Sequence, residues 1–199
     1  MLLSFDIDAP CGRYFRYRDL IECGDTWHRL AEAGSTPSNI PQEQETISAI
    51  QDICRTILDP AVDVFGKLLL TYGFSSAELA ARIANRIAPS LDQHAGSEKT
   101  RSGSAICDRG GMAVDFHVPG VSSAEIAKWV CSTTRFDRLY FYGPNNPVHV
   151  SVGPSNTGQV VIMERGPSGK RIPRVITVSD FIHRNSRQSG SGVTTRRQS

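Results

Sequence analysis

Residues 138–163 read RLYFYGPNNPVHVSVGPSNTGQVVIM. Three short apolar runs, 138–142, 148–152 and 159–163, are separated by GPNNP and GPSNTG, whose Gly, Pro and Asn residues are turn formers. This spacing predicts three strands in an antiparallel meander. Within 148–152, Val148, Val150 and Val152 alternate with His149 and Ser151, so the strand has one apolar and one polar face. Residues 112–118, MAVDFHV, alternate in the same way. Val114, Phe116 and Val118 share one face, and Ala113, Asp115 and His117 share the other. Residues 174–178 suggest a further edge strand, and 67–71 (KLLLT), bounded by Gly66 and Gly73, a buried one.

Outward from these strands the pattern turns helical. Residues 14–33 read as short helical pieces broken at Gly24, with Leu20, Trp27 and Leu30 available to a core. After the loop 34–41, Pro41 suits a first helical turn, and Ile47, Ile50, Cys54, Ile57 and Leu58 recur at helical spacing until Pro60, which predicts a stop. Ser75 and Glu78 form a capping box for a helix running toward Ile87, and Ser122 and Glu125 cap another with Ile126, Ala127, Val130 and Cys131 on its apolar face. Residues 95–111 have no period and predict a long loop, a feature usually tied to function. Helices first and strands later point to an α+β fold, an antiparallel sheet with helices packed on one face.

A chain of 199 residues favours one domain. With 39% hydrophobic and 21% charged residues, it is neither wholly disordered nor a heptad rod. Its five cysteines are odd in number and contain no CxxC pair, so neither a disulfide framework nor a Cys-rich zinc site is indicated, and reduced thiols are expected. No apolar run approaches the ~20 residues that span a bilayer. The opening MLLSFDIDAP lacks a cationic flank and carries Asp6 and Asp8, which predicts a cytoplasmic location without a signal peptide. Residues 184–199 hold Arg184, Arg187, Arg196 and Arg197 and no acid; without these four charges the net +2 becomes about −2 for residues 1–183. The expected organisation is a folded domain, 1–183, with a disordered basic tail, 184–199, the only part suited to nucleic acid.

The polar strand faces carry the chemistry. If the two alternating strands share a sheet, Asp115 and His149 meet on its open face. Imidazole nitrogen and carboxylate oxygen are suitable ligands for a catalytic zinc, which takes three protein ligands and keeps a position open. His94, in LDQHAG at the mouth of the long loop, is the natural third ligand. Spacing alone adds nothing, because no HExxH motif is present.

The order of these pieces resembles the zinc D-alanyl-D-alanine carboxypeptidase and hedgehog-like peptidase superfamily. Its members carry a loop His, a G-x-A-x-D strand and a late H-V-S-type strand. Here Gln93-His94, Gly111-Met112-Ala113-Val114-Asp115 and His149-Val150-Ser151 stand in that order. YFRYRDLIECG is similar to the family's opening segment, AIQDICRTILDPAVDVFGKLLLTYGF to its long helix and following strand, and FDRLYFYG to the strand before the last ligand. The likeness covers about residues 14–152. It implies a hedgehog/DD-peptidase-like fold and a Zn2+ held by His94, Asp115 and His149. It also implies hydrolysis of an amide bond in a cell-wall-derived or other peptide.

Three departures bear on that implication. The family's first His usually stands seven positions before the Asp, where this chain has Asp108, so His94 serves only if the intervening loop is an insertion. The family's general-base glutamate is absent, with Tyr142 and Asn146 at the two positions where it is sought. Its Ser-Gly-Tyr-Arg motif reads Thr71-Tyr72-Gly73-Phe74, without the Arg that holds a substrate carboxylate. General acid and base help is worth about 10²- to 10⁴-fold. Glu98 is the first candidate to supply it, His117 the second, and Tyr142 a candidate to polarise an oxyanion. The rival readings are a metal-stabilised interaction module that has lost catalysis, and an intracellular or phage-related metal hydrolase with a non-peptide substrate.

Overall fold

The computed structural model describes residues 5–84 and 87–186. These form an α+β fold around a six-stranded mixed sheet. The strands are β1 (Leu69–Tyr72), β2 (Met112–His117), β3 (Arg138–Phe141), β4 (Val148–Val152), β5 (Gln159–Arg165) and β6 (Arg171–Ile176), in the order β1-β2-β4-β3-β5-β6.

Every neighbouring pair is antiparallel except β3 and β5, which run parallel. The predicted all-antiparallel meander therefore fails at one place, for a geometric reason. Strand β4 is paired on both edges, with β2 and β3, so the chain leaving it must pass the start of β3 to reach a free edge. Having crossed there, it can only run alongside β3 in the same direction. Asp137 secures the crossing: its carboxylate accepts from the Thr157 N–H at 3.0 Å and hydroxyl at 2.9 Å, and its carbonyl accepts from the Gln159 N–H at 2.9 Å. Strand β6 is the expected edge. Strand β1, expected to be buried, is the opposite edge, and Leu69 is 38% exposed.

Strand alternation sets the two faces as the sequence suggests. Val114, Phe116, Val148, Val150, Val152, Leu139 and Val160 turn to one side, all essentially inaccessible to water. The residues packed with them come from helices α3 (Gln44–Ile53), α6 (Ser123–Thr133) and α7 (Val178–Ser186), namely Ile50, Ile53, Ile126, Ala127, Val130 and Phe181. Burying each large aliphatic side chain contributes roughly 1.5–3 kcal/mol, so this interface is the main source of stability.

The long helix does not stop at Pro60. α3 passes into a π turn (Cys54–Leu58) and continues as α4 (Asp59–Phe65). Proline in a regular helix lacks a donor and its ring strikes the carbonyl four residues back. The wider π turn lies just ahead of Pro60, which occupies the first turn of α4, where a missing N–H is tolerated. The apolar face thus extends unbroken through Cys54, Ile57, Leu58 and Ala61, all fully buried. Gly66, at φ +82°, ends it.

Two short helices, α1 (Tyr17–Ile21) and α2 (Asp25–Glu32), flank Gly24 as predicted, with Leu20 and Leu30 buried and Trp27 only partly so. The helix expected from Ser75 toward Ile87 is a single turn, α5 (Ala77–Ala80). Its N-cap is Ser76, whose hydroxyl accepts from the Leu79 N–H at 3.2 Å, one residue later than predicted. Among the described apolar residues of this segment only Leu79 and Ala80 are buried, so no apolar stripe carries the helix further.

Residues 96–111 form the expected long loop, but a packed one: Lys99 bridges Ala105 and Cys107 is buried. No helix among the described residues is long and apolar enough to cross a membrane. Helix α7 runs to Ser186, past the expected domain end at 183; the expected tail from 187 onward lies outside the described residues.

Candidate metal centre

The register of β2 and β4 sets Asp115 directly opposite His149 on the sheet face away from the main core. The third member arrives from a loop. Gln93–Ala95 is a single 3₁₀ turn, started by Asp92, whose carboxylate accepts from the His94 N–H at 3.2 Å. The turn lays His94 over the two strands, so that one atom from each residue converges. His94 Nε2 lies 3.3 Å from His149 Nδ1 and 3.5 Å from Asp115 Oδ1, and His149 Nδ1 lies 2.7 Å from Asp115 Oδ1.

These spacings suit a small cation. Ligands about 2.0–2.1 Å from a tetrahedral zinc stand about 3.3–3.4 Å from one another, which two of the three separations already match. The third, a 2.7 Å hydrogen bond, would have to open by about 0.6 Å for a cation to take the place of the shared proton. Among the described residues this trio is the group that could hold a metal ion. His94 is 3% exposed and His149 9%, whereas Asp115 keeps 25% of its side-chain surface, so the cluster is reached from the Asp115 side.

The surroundings orient each of the three side chains. A carbonyl only accepts, so the 2.8 Å contact between His94 Nδ1 and the Gly73 carbonyl makes Nδ1 the donor and leaves the Nε2 lone pair for the centre. Tyr72 lies over the His94 ring with centroids 3.8 Å apart, and Tyr140 meets the His149 ring edge-on at 5.0 Å. Burial alone would raise the Asp115 carboxyl, but His149 and His94 outweigh it and hold it well below the ordinary range. Burial would lower the His94 imidazole, yet the Asp115 carboxylate raises it. The 2.7 Å hydrogen bond between His149 Nδ1 and Asp115 Oδ1 shares one proton within the trio.

Sequence reasoning missed how Gln93 and Ser151 act, although both stand in the quoted motifs. The Ser151 hydroxyl donates to Gln93 Oε1 at 2.8 Å, while Gln93 Nε2 donates to Asp137 Oδ2 and to the Gly110 carbonyl, each at 3.0 Å. The residue before one ligand is thus bonded to the residue two places after another. The pairing of QH with HVS in the sequence is the signal that could have revealed it.

Asp137 is nearly inaccessible. Burial would raise its carboxyl, but hydrogen bonds from Thr157 and Gln93 and the charge of Arg138 hold it below the usual carboxylate range. A carboxyl with a depressed folded pKa contributes stability above its unfolded value, about 3.9, and loses it as pH falls through the folded value. Asp137→Asn is accordingly expected to lower the melting temperature at pH 7 and to narrow the difference from the parent below pH 4, as thermal melts across pH would record.

Glu98, His117 and Asp108 do not join the trio. The Glu98 carboxylate accepts from the backbone N–H groups of Gln42 and Glu43 at 3.0 and 3.1 Å, just ahead of α3, and does not join the trio. His117 shares the Asp115 face but pairs with Leu69 toward the β1 edge. The exposed Asp108 does not join either, so it is His94 that the fold brings to Asp115. Tyr142 follows β3 two residues beyond Tyr140, with the Arg171 guanidinium 4.9 Å from its ring centre. Burial, reinforced by the Asp115 charge, pushes its phenol up to about 12, so it is a proton donor at neutral pH. No protein-family model matches the chain, and neither the curated proteins nor the solved structures contain a match to it.

Proposed function

We propose that this chain is a zinc-dependent hydrolase that cleaves an amide bond in a peptide, with a hedgehog/DD-peptidase-like arrangement of its α+β fold. The observation that carries this reading is the convergence of His94 Nε2, Asp115 Oδ1 and His149 Nδ1 from three separate segments onto one partly open point. Two imidazoles and one carboxylate form a donor set that suits zinc, and three protein ligands leave a fourth position for substrate or water. When bound, zinc supplies Lewis acidity that polarises a carbonyl and makes water more acidic.

The protein's own residues do the remaining work. Gly73 keeps the His94 proton on Nδ1, and Gln93 clamps the turn so that Nε2 stays aimed at Asp115. Tyr142 offers an un-ionised O–H to charge that develops on a reacting oxygen. The cell-wall or related peptide is the substrate class implied by the family resemblance.

Zinc-loaded protein is expected to cleave members of a peptide library that includes D-alanyl-D-alanine ends, with His149→Ala as the inactive control. Removing one oxyanion donor typically costs about 10²- to 10³-fold. Tyr142→Phe is expected to retain zinc while turnover falls by about that amount.

One observation favours a second reading, the metal-stabilised interaction module: among the described residues no further carboxylate stands with the trio, and Tyr142 occupies a position where the family's glutamate is sought. No cleavage in a protein shown to hold zinc would favour that module.

A further inference from the structure

The apolar core behind the sheet holds a pair of thiols that the metal centre does not use. Cys11 and Cys54 are both buried, with Sγ atoms 3.4 Å apart. Cys11 belongs to a tight hairpin in which its own N–H and that of Gly12 donate to the Phe15 carbonyl at 3.0 and 3.1 Å, beside a bridge between Pro10 and Arg16. The hairpin is docked on the long helix: the N–H groups of Arg13 and Tyr14 donate to the Asp59 carboxylate at 2.8 and 3.2 Å. Its backbone also presses on Cys54, since a Cβ at Gly12 would stand 2.9 Å from Cys54 Cβ. The hairpin's backbone hydrogen bonds and its docking on Asp59 therefore hold Cys11 beside Cys54.

We propose that Cys11 and Cys54, free thiols in this structure and expected from the sequence to stay reduced, form a disulfide under oxidising conditions that staples the amino-terminal hairpin to the π turn of the long helix. A disulfide bond is about 2.05 Å long, so the sulfurs, now 3.4 Å apart, approach by about 1.4 Å. With oxidised glutathione as the oxidant, the Cys11 thiolate attacks one glutathione sulfur and releases one reduced glutathione. Cys54 then attacks the Cys11 sulfur of the mixed disulfide and releases the second. Two electrons pass to the oxidant, and the two protein thiol protons end on the two glutathione thiols.

Both sulfurs are shielded in the finished fold, Cys11 at 6% exposure and Cys54 completely. The hydrogen bond with Cys11, then burial, push the Cys54 thiol far above its ordinary range, so its thiolate is scarce in the finished fold and the bond forms as the chain folds. The link joins residues 43 apart. Closing a loop of that size raises the melting temperature by about 10 °C for a domain of this length.

The test is to refold the full chain in a defined mixture of reduced and oxidised glutathione, alkylate free thiols, and digest without reductant for mass spectrometry. The expected result is three alkylated cysteines, a peptide containing Cys11 joined to one containing Cys54, and a melting temperature about 10 °C above that of the same sample after dithiothreitol. Cys11→Ala, a change outside the helix, is expected to fold and to melt at a temperature insensitive to dithiothreitol. Folded protein with all five cysteines alkylated would overturn the proposal, as would a link from Cys11 or Cys54 to another cysteine.

Discussion

His149→Ala is expected to weaken zinc binding by about 100-fold or more, measured by competition with a chromogenic chelator. The magnitude follows from the construction of the centre. Loss of a residue that merely orients a ligand typically costs about 10- to 100-fold in affinity, and loss of a ligand costs more. His149 supplies one of three converging atoms and also the hydrogen bond that holds Asp115 Oδ1 in place. Its side chain lies on the polar face of β4, and the strand is held independently by β2 and β3, so the variant is expected to keep its fold. Gln93→Ala, which frees the 3₁₀ turn under His94, is expected to cost about 10-fold. Unchanged affinity in His149→Ala would remove this residue from the centre.

Gly111→Ala is expected to destabilise the fold strongly. Gly111 opens the G-x-A-x-D segment at φ +77°, a left-handed conformation that costs an ordinary residue energy. It also lies against β4: a Cβ there would stand 1.9 Å from the Val152 carbonyl oxygen, which belongs to the sheet and cannot swing away. Strain and backbone displacement together are expected to cost about 3 kcal/mol, or roughly 6–12 °C in melting temperature for a domain of this size. Because β2 and β4 would be pushed apart three pairs from Asp115 and His149, zinc affinity should fall as well. A variant that melts with the parent would mean that Gly111 does not pack against β4 in this way. The family resemblance quotes this glycine only as a motif letter; its physical basis is the close approach to Val152.

Strand faces were legible because a two-residue period needs no knowledge of partners. Val114 and Phe116 point to the core and Asp115 to the open face whichever strands adjoin β2. Strand direction is another matter. The parallel pairing of β3 with β5 depends on β4 being enclosed on both edges, which no local pattern records. The passage through Pro60 was hidden for a related reason: proline signals the end of a regular helix, and the π turn that accommodates it is a response of the backbone. At the centre, Asp115 and His149 followed from alternation, and His94 from its QH context. Glu98 illustrates the limit. A glutamate four residues after a ligand invites a catalytic role, whereas the turn that follows His94 directs its carboxylate to the backbone of Gln42 and Glu43. Cys11 and Cys54 were equally opaque, since they meet only through the docking of a hairpin on Asp59.

The central claim is that His94, Asp115 and His149 together hold one zinc. X-ray absorption at the zinc edge of the full chain, loaded with one equivalent of metal, tests it most directly. The account predicts two imidazole nitrogens and at least one oxygen at about 2.0–2.1 Å, with the imidazole scattering halved in His149→Ala. A sulfur shell near 2.3 Å, or a spectrum of hydrated zinc with no imidazole contribution, would contradict it.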